Sequence, residues 1–160
     1  MLAPDQLHFT LVFVALLGSG LISGVFFTFS AFVMKALVRL PTAKGIAAMQ
    51  SINITVLNRW FLGVFLGTAV VCVLLLVWSL LLWEQKGSVV LVMGSTFYLI
   101  GSLMVTGVFN VPKNEALAKV NASAADSGQL WLRYVDRWTK WNHVRTVASL
   151  LATACFGIWL

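Results

Sequence analysis

The sequence predicts an all-α fold: an integral membrane four-helix bundle in a single domain, residues 1–160, with short amphipathic helices in two long loops. The first observation is composition, since 60% of the 160 residues are hydrophobic and 10% are charged, whereas soluble domains carry about 25% charged residues. The second is the grouping of the apolar residues into four long segments, each close to or above the roughly 20 residues that a spanning helix needs. The third is the placement of tryptophans at segment ends, which is typical of membrane interfaces.

The four predicted spanning helices cover residues of about 7–40, 60–83, 89–109 and 141–160. The first apolar run, from Leu7 to Met34, exceeds the roughly 30 Å hydrocarbon core at a rise of 1.5 Å per residue. We therefore expect this helix to tilt or to project at its Lys35–Arg39 end, and Pro41 to stop it. The tryptophans at segment ends are Trp60, Trp83, Trp141 and Trp159.

Each long loop contains a stretch that reads as a short helix. Residues 43–57 follow Pro41 and have the pattern of an amphipathic helix. Residues 123–139 predict a second one, capped by Ser123 or Asp126, because short polar side chains bond the free N–H groups of a helix start.

Basic residues are distributed unevenly between the two ends of the predicted bundle. Ten of the 11 lysine and arginine residues lie in or beside the two long loops, and Lys86 alone lies on the other side. Because positively charged loops stay in the cytoplasm, we expect a multi-pass protein of the cell membrane with cytoplasmic long loops and both termini outside. The net charge of +6 then indicates contact with anionic membrane lipid. No nucleic-acid-binding module accompanies it, so nucleic acid is not an expected partner.

Two pairs of glycines are spaced four residues apart, Gly20 with Gly24 and Gly63 with Gly67. Such pairs allow helices to approach closely. They predict packing within the bundle, with a homo-oligomer through these small-residue faces as the alternative.

The chain offers little for binding a metal or a haem. Its two histidines, His8 and His143, lie at opposite ends of the predicted bundle, a membrane thickness of roughly 30 Å apart. No carboxylate falls inside a predicted span, so a carboxylate-bridged metal pair is not indicated. We therefore predict no metal site, and any cofactor remains unknown.

Two polar clusters lie at the predicted cytoplasmic ends. The first closes the third helix with Asn110 and Asn114 on either side of Pro112, which should end or kink the helix there. The two amides then cap free carbonyls or bind a ligand. A third polar patch on the same membrane face contains Gln50, Asn53 and Asn58-Arg59.

The second cluster precedes and opens the fourth span. On one continuous helix, one face of about 100° carries an aromatic and polar set, and Asp136 and His143 lie opposite. This face suits either a flat polar ligand, through stacking and cation–π contact, or an anchor at the headgroups. Arg145, one turn inside the span, needs a partner, with Asp136, Asp126, Glu115 and asparagine carbonyls as candidates. The set is Trp131, Tyr134, Trp138, Trp141, Asn142 and Arg145.

Four motifs spread over nearly the whole chain resemble the anthrone oxygenase family. They are Gly24-Val25-Phe26-Phe27-Thr28-Phe29-Ser30, Ala48-Met49-Gln50 to Asn53 with Trp60-Phe61, Phe109-Asn110-Val111-Pro112-x-Asn114, and Trp138-x-x-Trp141-Asn142-His143-x-Arg145-Thr146. The resemblance implies a four-helix membrane protein. Some members oxidise anthrones to anthraquinones with molecular oxygen, and no established metal or flavin site comes with the resemblance.

Two hypotheses of function follow. In the first, the protein is an oxygenase that uses O₂ on a flat, lipophilic phenolic molecule at the cytoplasmic interface. His143 is then the catalytic base, Arg145 offsets the charge, and the other substrate-binding residues stack on the rings or bind the oxygen: Asn110, Asn114, Trp138, Trp141 and Asn142. In the second, the protein is a non-enzymatic small-molecule or lipid carrier, or an accessory subunit, and the same polar cluster is structural.

Overall fold

The computed structural model describes residues 4–124 and 126–160. Helices make up almost all of these ranges, and they contain no strand. The all-α prediction is therefore confirmed.

The first half of the chain forms four helices. Helix α1 (Pro4–Thr28) continues through a π-helical segment, Phe29–Val33, into α2 (Met34–Val38). Pro41 then separates this helix from the next one, as predicted, and α3 (Thr42–Thr55) follows it. Helix α4 (Arg59–Leu81) begins after Asn58, whose side-chain oxygen accepts hydrogen bonds from the backbone N–H groups of Trp60 and Phe61. Asn58, one residue of the predicted polar patch, thus caps α4.

The second half forms two long helical runs. Helix α5 (Ser88–Thr96) passes through the π-helical segments Phe97–Met104 and Thr106–Asn110 into α6 (Val111–Ala118). Helix α7 (Ser127–Trp159) closes the chain. Residues 97–110 therefore contain two π-helical segments within one run, and such segments are frequent at functional sites.

Three helical runs are long and apolar enough to cross a membrane, Gln6–Val38, Arg59–Leu81 and Ser88–Ala118. This confirms in part the predicted membrane fold. The predicted fourth span, residues 141–160, is not among them, because Asn142, His143 and Arg145 lower the mean hydropathy of this half of α7. The fourth crossing remains a prediction.

Two predicted boundaries are wrong. Residues 123–139 do not form a separate helix: α7 runs unbroken from Ser127, since no glycine or proline interrupts residues 129–156. Asp126 precedes α7 but makes no side-chain cap bond, and the backbone N–H of Ser123 donates to Asn121 in a turn. Residue 125, within the same predicted helix, lies outside the described residues.

The third long helix also continues past its predicted end at residue 109. Proline removes an N–H and crowds the carbonyl four residues earlier. Here the turn before Pro112 is π-helical, with the N–H of Val111 bonded to the carbonyl of Thr106. This wider turn accommodates the proline, and the helix continues to Ala118.

The long helices pack side by side around an apolar core. Helices α1 and α5 each contact both α4 and α7. At one end His8 stacks on Trp78, with ring centroids 5.0 Å apart, and lies tilted against Trp159 at 4.8 Å. At the other end α3 packs on α6 and α7, where the side-chain amide of Gln50 donates to the carbonyls of Leu117 and Val120.

The glycines that sit against neighbouring helices are not those of the predicted pairs. A side chain at Gly24, Gly63 or Gly67 would meet open space, and one at Gly20 would make ordinary contact with Thr153. The predicted packing through these pairs within the bundle is therefore wrong for three of the four. The homo-oligomer through these faces stays a prediction.

Gly101 supplies a close contact that the spacing did not indicate. A Cβ there would overlap the Cβ of Ala148 on α7, and a Cβ cannot rotate away. We expect Gly101→Ala to lower the free energy of unfolding by about 1–3 kcal/mol through overpacking. Gly107→Ala is the matched control, because a Cβ there meets nothing within 4 Å. Thermal unfolding in detergent micelles measures both, and equal stability of the two variants would contradict this packing.

Candidate functional site

A cavity of about 530 Å³ lies at the basic end of the molecule, among α1, α3, α4, α6 and α7. This volume falls within the roughly 300–1,000 Å³ of small-molecule sites. Its walls are mostly apolar and aromatic, and they include Phe26, Phe29, Met49, Ile52, Phe61, Phe65, Val111 and Trp138. Its polar lining consists of Gln50, Asn53, Thr106, Asn114, Glu115 and Arg145.

Arg145 is a buried cation on the wall of this cavity, with 5% of its surface exposed. Its guanidinium carbon lies 4.2 Å from the ring centroid of Phe26 and 5.1 Å from that of Trp138. One terminal nitrogen donates to Asn142 Oδ1 at 2.6 Å, and the other donates to Thr106 Oγ1 at 3.3 Å. The Nε atom is buried and has no hydrogen-bond partner among the described residues.

The acidic partners predicted for Arg145 do not pair with it. Among residues 4–124 and 126–160, the ion pair is that of Lys140 with Asp136, at 2.8 Å on the exposed face of α7. Glu115 lines the cavity, but its side chain is exposed and lies beyond ion-pair distance of Arg145. The partner is instead the amide oxygen of Asn142, one of the asparagine carbonyls that the sequence offered.

Asn142 connects Arg145 to the first helix. It faces α1 and is fully buried. Its Nδ2 donates to the carbonyl of Phe26 at 2.7 Å and to Ser30 Oγ at 2.8 Å. Ser30 belongs to the π-helical segment Phe29–Val33, where the changed register shifts side chains from their positions on a regular helix. The amide therefore bonds α1 with one end and Arg145 with the other.

Asn114 fixes the aromatic wall. Its Oδ1 accepts from the Trp138 indole N–H at 2.8 Å and from the Tyr134 hydroxyl at 3.0 Å. Burial raises the pKa of Tyr134, although the nearby Asn53 side chain and the positive charge of Arg145 act in the opposite direction. The phenol thus stays protonated at neutral pH and keeps donating to Asn114.

Asn110 lies beside the cavity and does not line it. It is fully buried, and its Nδ2 donates to the backbone carbonyl of Trp138 at 3.2 Å. Its Oδ1 has no hydrogen-bond partner among the described residues. Asn110 therefore ties the third helix to α7 next to the site.

His143 and Trp141 lie outside the cavity. The imidazole is exposed on the outer face of α7, on the side that the helical pattern assigned to it together with Asp136. Trp141 stacks on Phe109 instead, with ring centroids 3.5 Å apart and an interplanar angle of 5°. The geometry gives His143 no contact with a molecule held beside Arg145.

The structure thus brings together Asn114, Trp138, Asn142 and Arg145, with Asn110 adjacent, and leaves out His143 and Trp141. The sequence reading did not assign roles to Phe26, Ser30 and Thr106. For Ser30 and Thr106, the available signal was a polar residue within an apolar helix. For Phe26 there was none. In the described ranges, no three histidine, cysteine, aspartate or glutamate residues cluster closely enough to hold a metal ion.

These features define the class: an all-helical protein with membrane-length apolar helices and an amphipathic cavity at its basic end. The family model described as anthrone oxygenase matches residues 57–155. The chain therefore belongs to the anthrone oxygenase family. The matched region contains the motifs at residues 109–114 and 138–146 and the Trp60-Phe61 part of the second motif, whereas residues 24–30 and 48–53 precede it. No curated protein and no solved structure matches the chain.

Neighbouring residues of α7 provide a test of this geometry. We expect Asn142→Ala to lower the free energy of unfolding by about 2–4 kcal/mol, since it removes bonds to Phe26 and Ser30 and leaves the Arg145 cation without its acceptor. His143→Ala should change it by no more than about 0.5 kcal/mol, because the imidazole is exposed. Chemical or thermal unfolding in detergent compares the two, and a larger loss for His143→Ala would contradict the structure.

Proposed function

We propose that this protein is a membrane-embedded oxygenase-like protein that acts on a flat, lipophilic phenolic molecule of the anthrone type, bound in the cavity beside Trp138. The observation that carries the proposal is the cavity itself: about 530 Å³ with mostly apolar and aromatic walls and a few polar groups. Sites of this composition suit aromatic ligands with one or two oxygens. Membership of the anthrone oxygenase family supports the reaction class.

The reaction requires that the protein bind the substrate and that one proton be removed from it. An anthrone carries an acidic CH₂ group opposite its carbonyl, and loss of one proton gives a delocalised enolate. O₂ adds at that carbon and oxidises it, and loss of water from the resulting hydroperoxide leaves the second carbonyl of the quinone. Each anthrone consumed takes up one O₂ and releases one water. The proton leaves toward the exposed side of the cavity, where Glu115 supplies a carboxylate.

The chain's own residues orient the ring system. Trp138 is held by its bond to Asn114, so its face forms a fixed wall against which a planar molecule can stack. Thr106 and Asn114 offer polar groups to its oxygen. Holding the reacting carbon in one position replaces random encounter with a preset geometry, which lowers the entropic part of the barrier.

The proposal includes the orientation in the membrane. Helix α7 is the fourth crossing, its polar side chains turned toward the other helices, and the basic end with the cavity faces the cytoplasm with both termini outside. The uneven distribution of lysine and arginine supports this orientation. The ligand then reaches the cavity from the lipid or from the cytoplasmic interface.

Oxygen uptake by the purified protein tests the function. With anthrone as the probe, uptake should exceed the uncatalysed rate measured in the same detergent without protein. We expect Trp138→Leu to reduce the excess by about tenfold or more, because it removes the ring wall and its bond to Asn114. Trp141→Leu should stay within about threefold, since that ring stacks on Phe109 outside the cavity.

The outcomes separate this proposal from its alternatives. His143→Ala should keep its oxygen uptake. Loss of oxygen uptake in this variant would indicate that the reaction takes place at the exposed face of α7. Protein that binds anthrone without oxygen uptake would support the non-enzymatic carrier. Absence of both uptake and binding would contradict a site in this cavity.

A further inference from the structure

The cavity contains an unbalanced charge. Arg145 is 95% buried, and its guanidinium has no carboxylate within ion-pair distance among the described residues. A buried cation without a counter-charge is costly, particularly in a membrane protein. Proteins retain such a group where it performs a function, and the identity of the missing anion is the question that the structure raises.

The surrounding groups do not supply that anion. Asn142 and Thr106 are neutral acceptors, and the Tyr134 phenol is protonated because it donates to Asn114. Glu115, the acidic residue lining the cavity, is exposed and unpaired with Arg145. Lys113 is itself a cation and supplies no counter-charge; it lies over Phe109 and donates to the Phe109 carbonyl.

The guanidinium is also arranged to receive a planar ligand. Its central carbon lies over the ring of Phe26 at 4.2 Å and over that of Trp138 at 5.1 Å, so two aromatic rings contact it. Its Nε–H is buried, has no acceptor among the described residues, and belongs to a side chain that lines the cavity. A charged donor of this kind prefers an anionic oxygen, because charge-assisted hydrogen bonds are about twice as strong as neutral ones.

We infer that Arg145 makes the cavity a binding site for the deprotonated oxygen, phenolate or enolate, of a flat aromatic ligand. This inference rests on the proposed function only in taking the ligand to be flat and aromatic; it does not require turnover. The phenolate oxygen occupies the place of the missing carboxylate. The rings of the ligand extend from it along the apolar walls.

Binding should therefore change the ionisation of the ligand. The apolar walls alone would favour the neutral phenol, whereas direct contact with a cation favours the phenolate. If Arg145 dominates, the phenol pKa of the bound ligand falls below its value in water or detergent. A decrease of 1 in that pKa corresponds to about tenfold tighter binding of the anion than of the neutral form.

A coloured phenol makes this measurable without catalysis. The probe is 2-hydroxyanthraquinone, a flat three-ring phenol whose visible absorption moves to longer wavelength on ionisation. Titration with pH in the presence of saturating protein, in non-ionic detergent, should give a pKa at least about 1 below that in empty micelles. In Arg145→Met, which removes the charge but keeps a long apolar side chain, the decrease should disappear.

Two further variants keep the test decisive. Glu115→Gln removes the negative charge lining the cavity, so it should lower the pKa of the bound probe further or leave it unchanged, the opposite sign to Arg145→Met. Arg145→Lys preserves the charge and should preserve part of the decrease, which provides a reading if Arg145→Met fails to fold. An unfolding temperature is recorded for each variant.

Several results would overturn the inference. The probe could bind in its neutral form, bind equally as an anion to Arg145→Met, or fail to bind. The proposed function fails separately: absent oxygen uptake with an intact effect on the probe removes the oxygenase and leaves the anion site. If the protein takes up oxygen but binds the probe in its neutral form, the oxygenase proposal stands and the anion site is removed.

Discussion

The bonded unit of Arg145, Asn142 and the carbonyl of Phe26 holds the site together. Asn142 donates to α1 and accepts from the guanidinium, so one amide fixes both the approach of α7 to α1 and the position of the charge. The rings of Phe26 and Trp138 then contact the guanidinium through cation–π interactions. The cavity takes its shape and its positive charge from this arrangement.

The π-helical segments explain why polar side chains from other helices meet Asn142 and Arg145 inside the bundle. Phe29–Val33 contains Ser30, which accepts from Asn142, and Thr106–Asn110 contains Thr106, which accepts from Arg145. A regular α-helix repeats its faces every 3.6 residues, and each wider turn shifts that register. Polar residues on otherwise apolar helices thereby face α7 rather than the outside of the bundle.

Much of the fold followed from the chain alone. Apolar run length gave the long helices, and Pro41 gave the break between α2 and α3. The helical pattern of α7 correctly grouped Tyr134, Trp138, Asn142 and Arg145 on one buried face, with Asp136 and His143 opposite. The period of a helix is a local property of the sequence, which explains this success.

The errors came from interactions that local pattern does not contain. Pro112 was expected to end or kink the helix, whereas the π-helical turn before it allows the helix to continue. His143 is a different case: it was proposed as a base for its chemistry, although the helical pattern already placed it opposite Arg145, and it is exposed there. The contacts of Phe26 and Thr106 with Arg145 join residues more than 30 positions apart in the chain, and spacing within a segment does not indicate them.

An experimental structure with 2-hydroxyanthraquinone bound would test most directly whether a buried, uncompensated cation defines this site. We expect the phenolate oxygen within about 3 Å of the guanidinium of Arg145, with the rings against Trp138. A ligand oxygen turned away from Arg145, or a carboxylate already paired with that guanidinium in the ligand-free protein, would contradict the account.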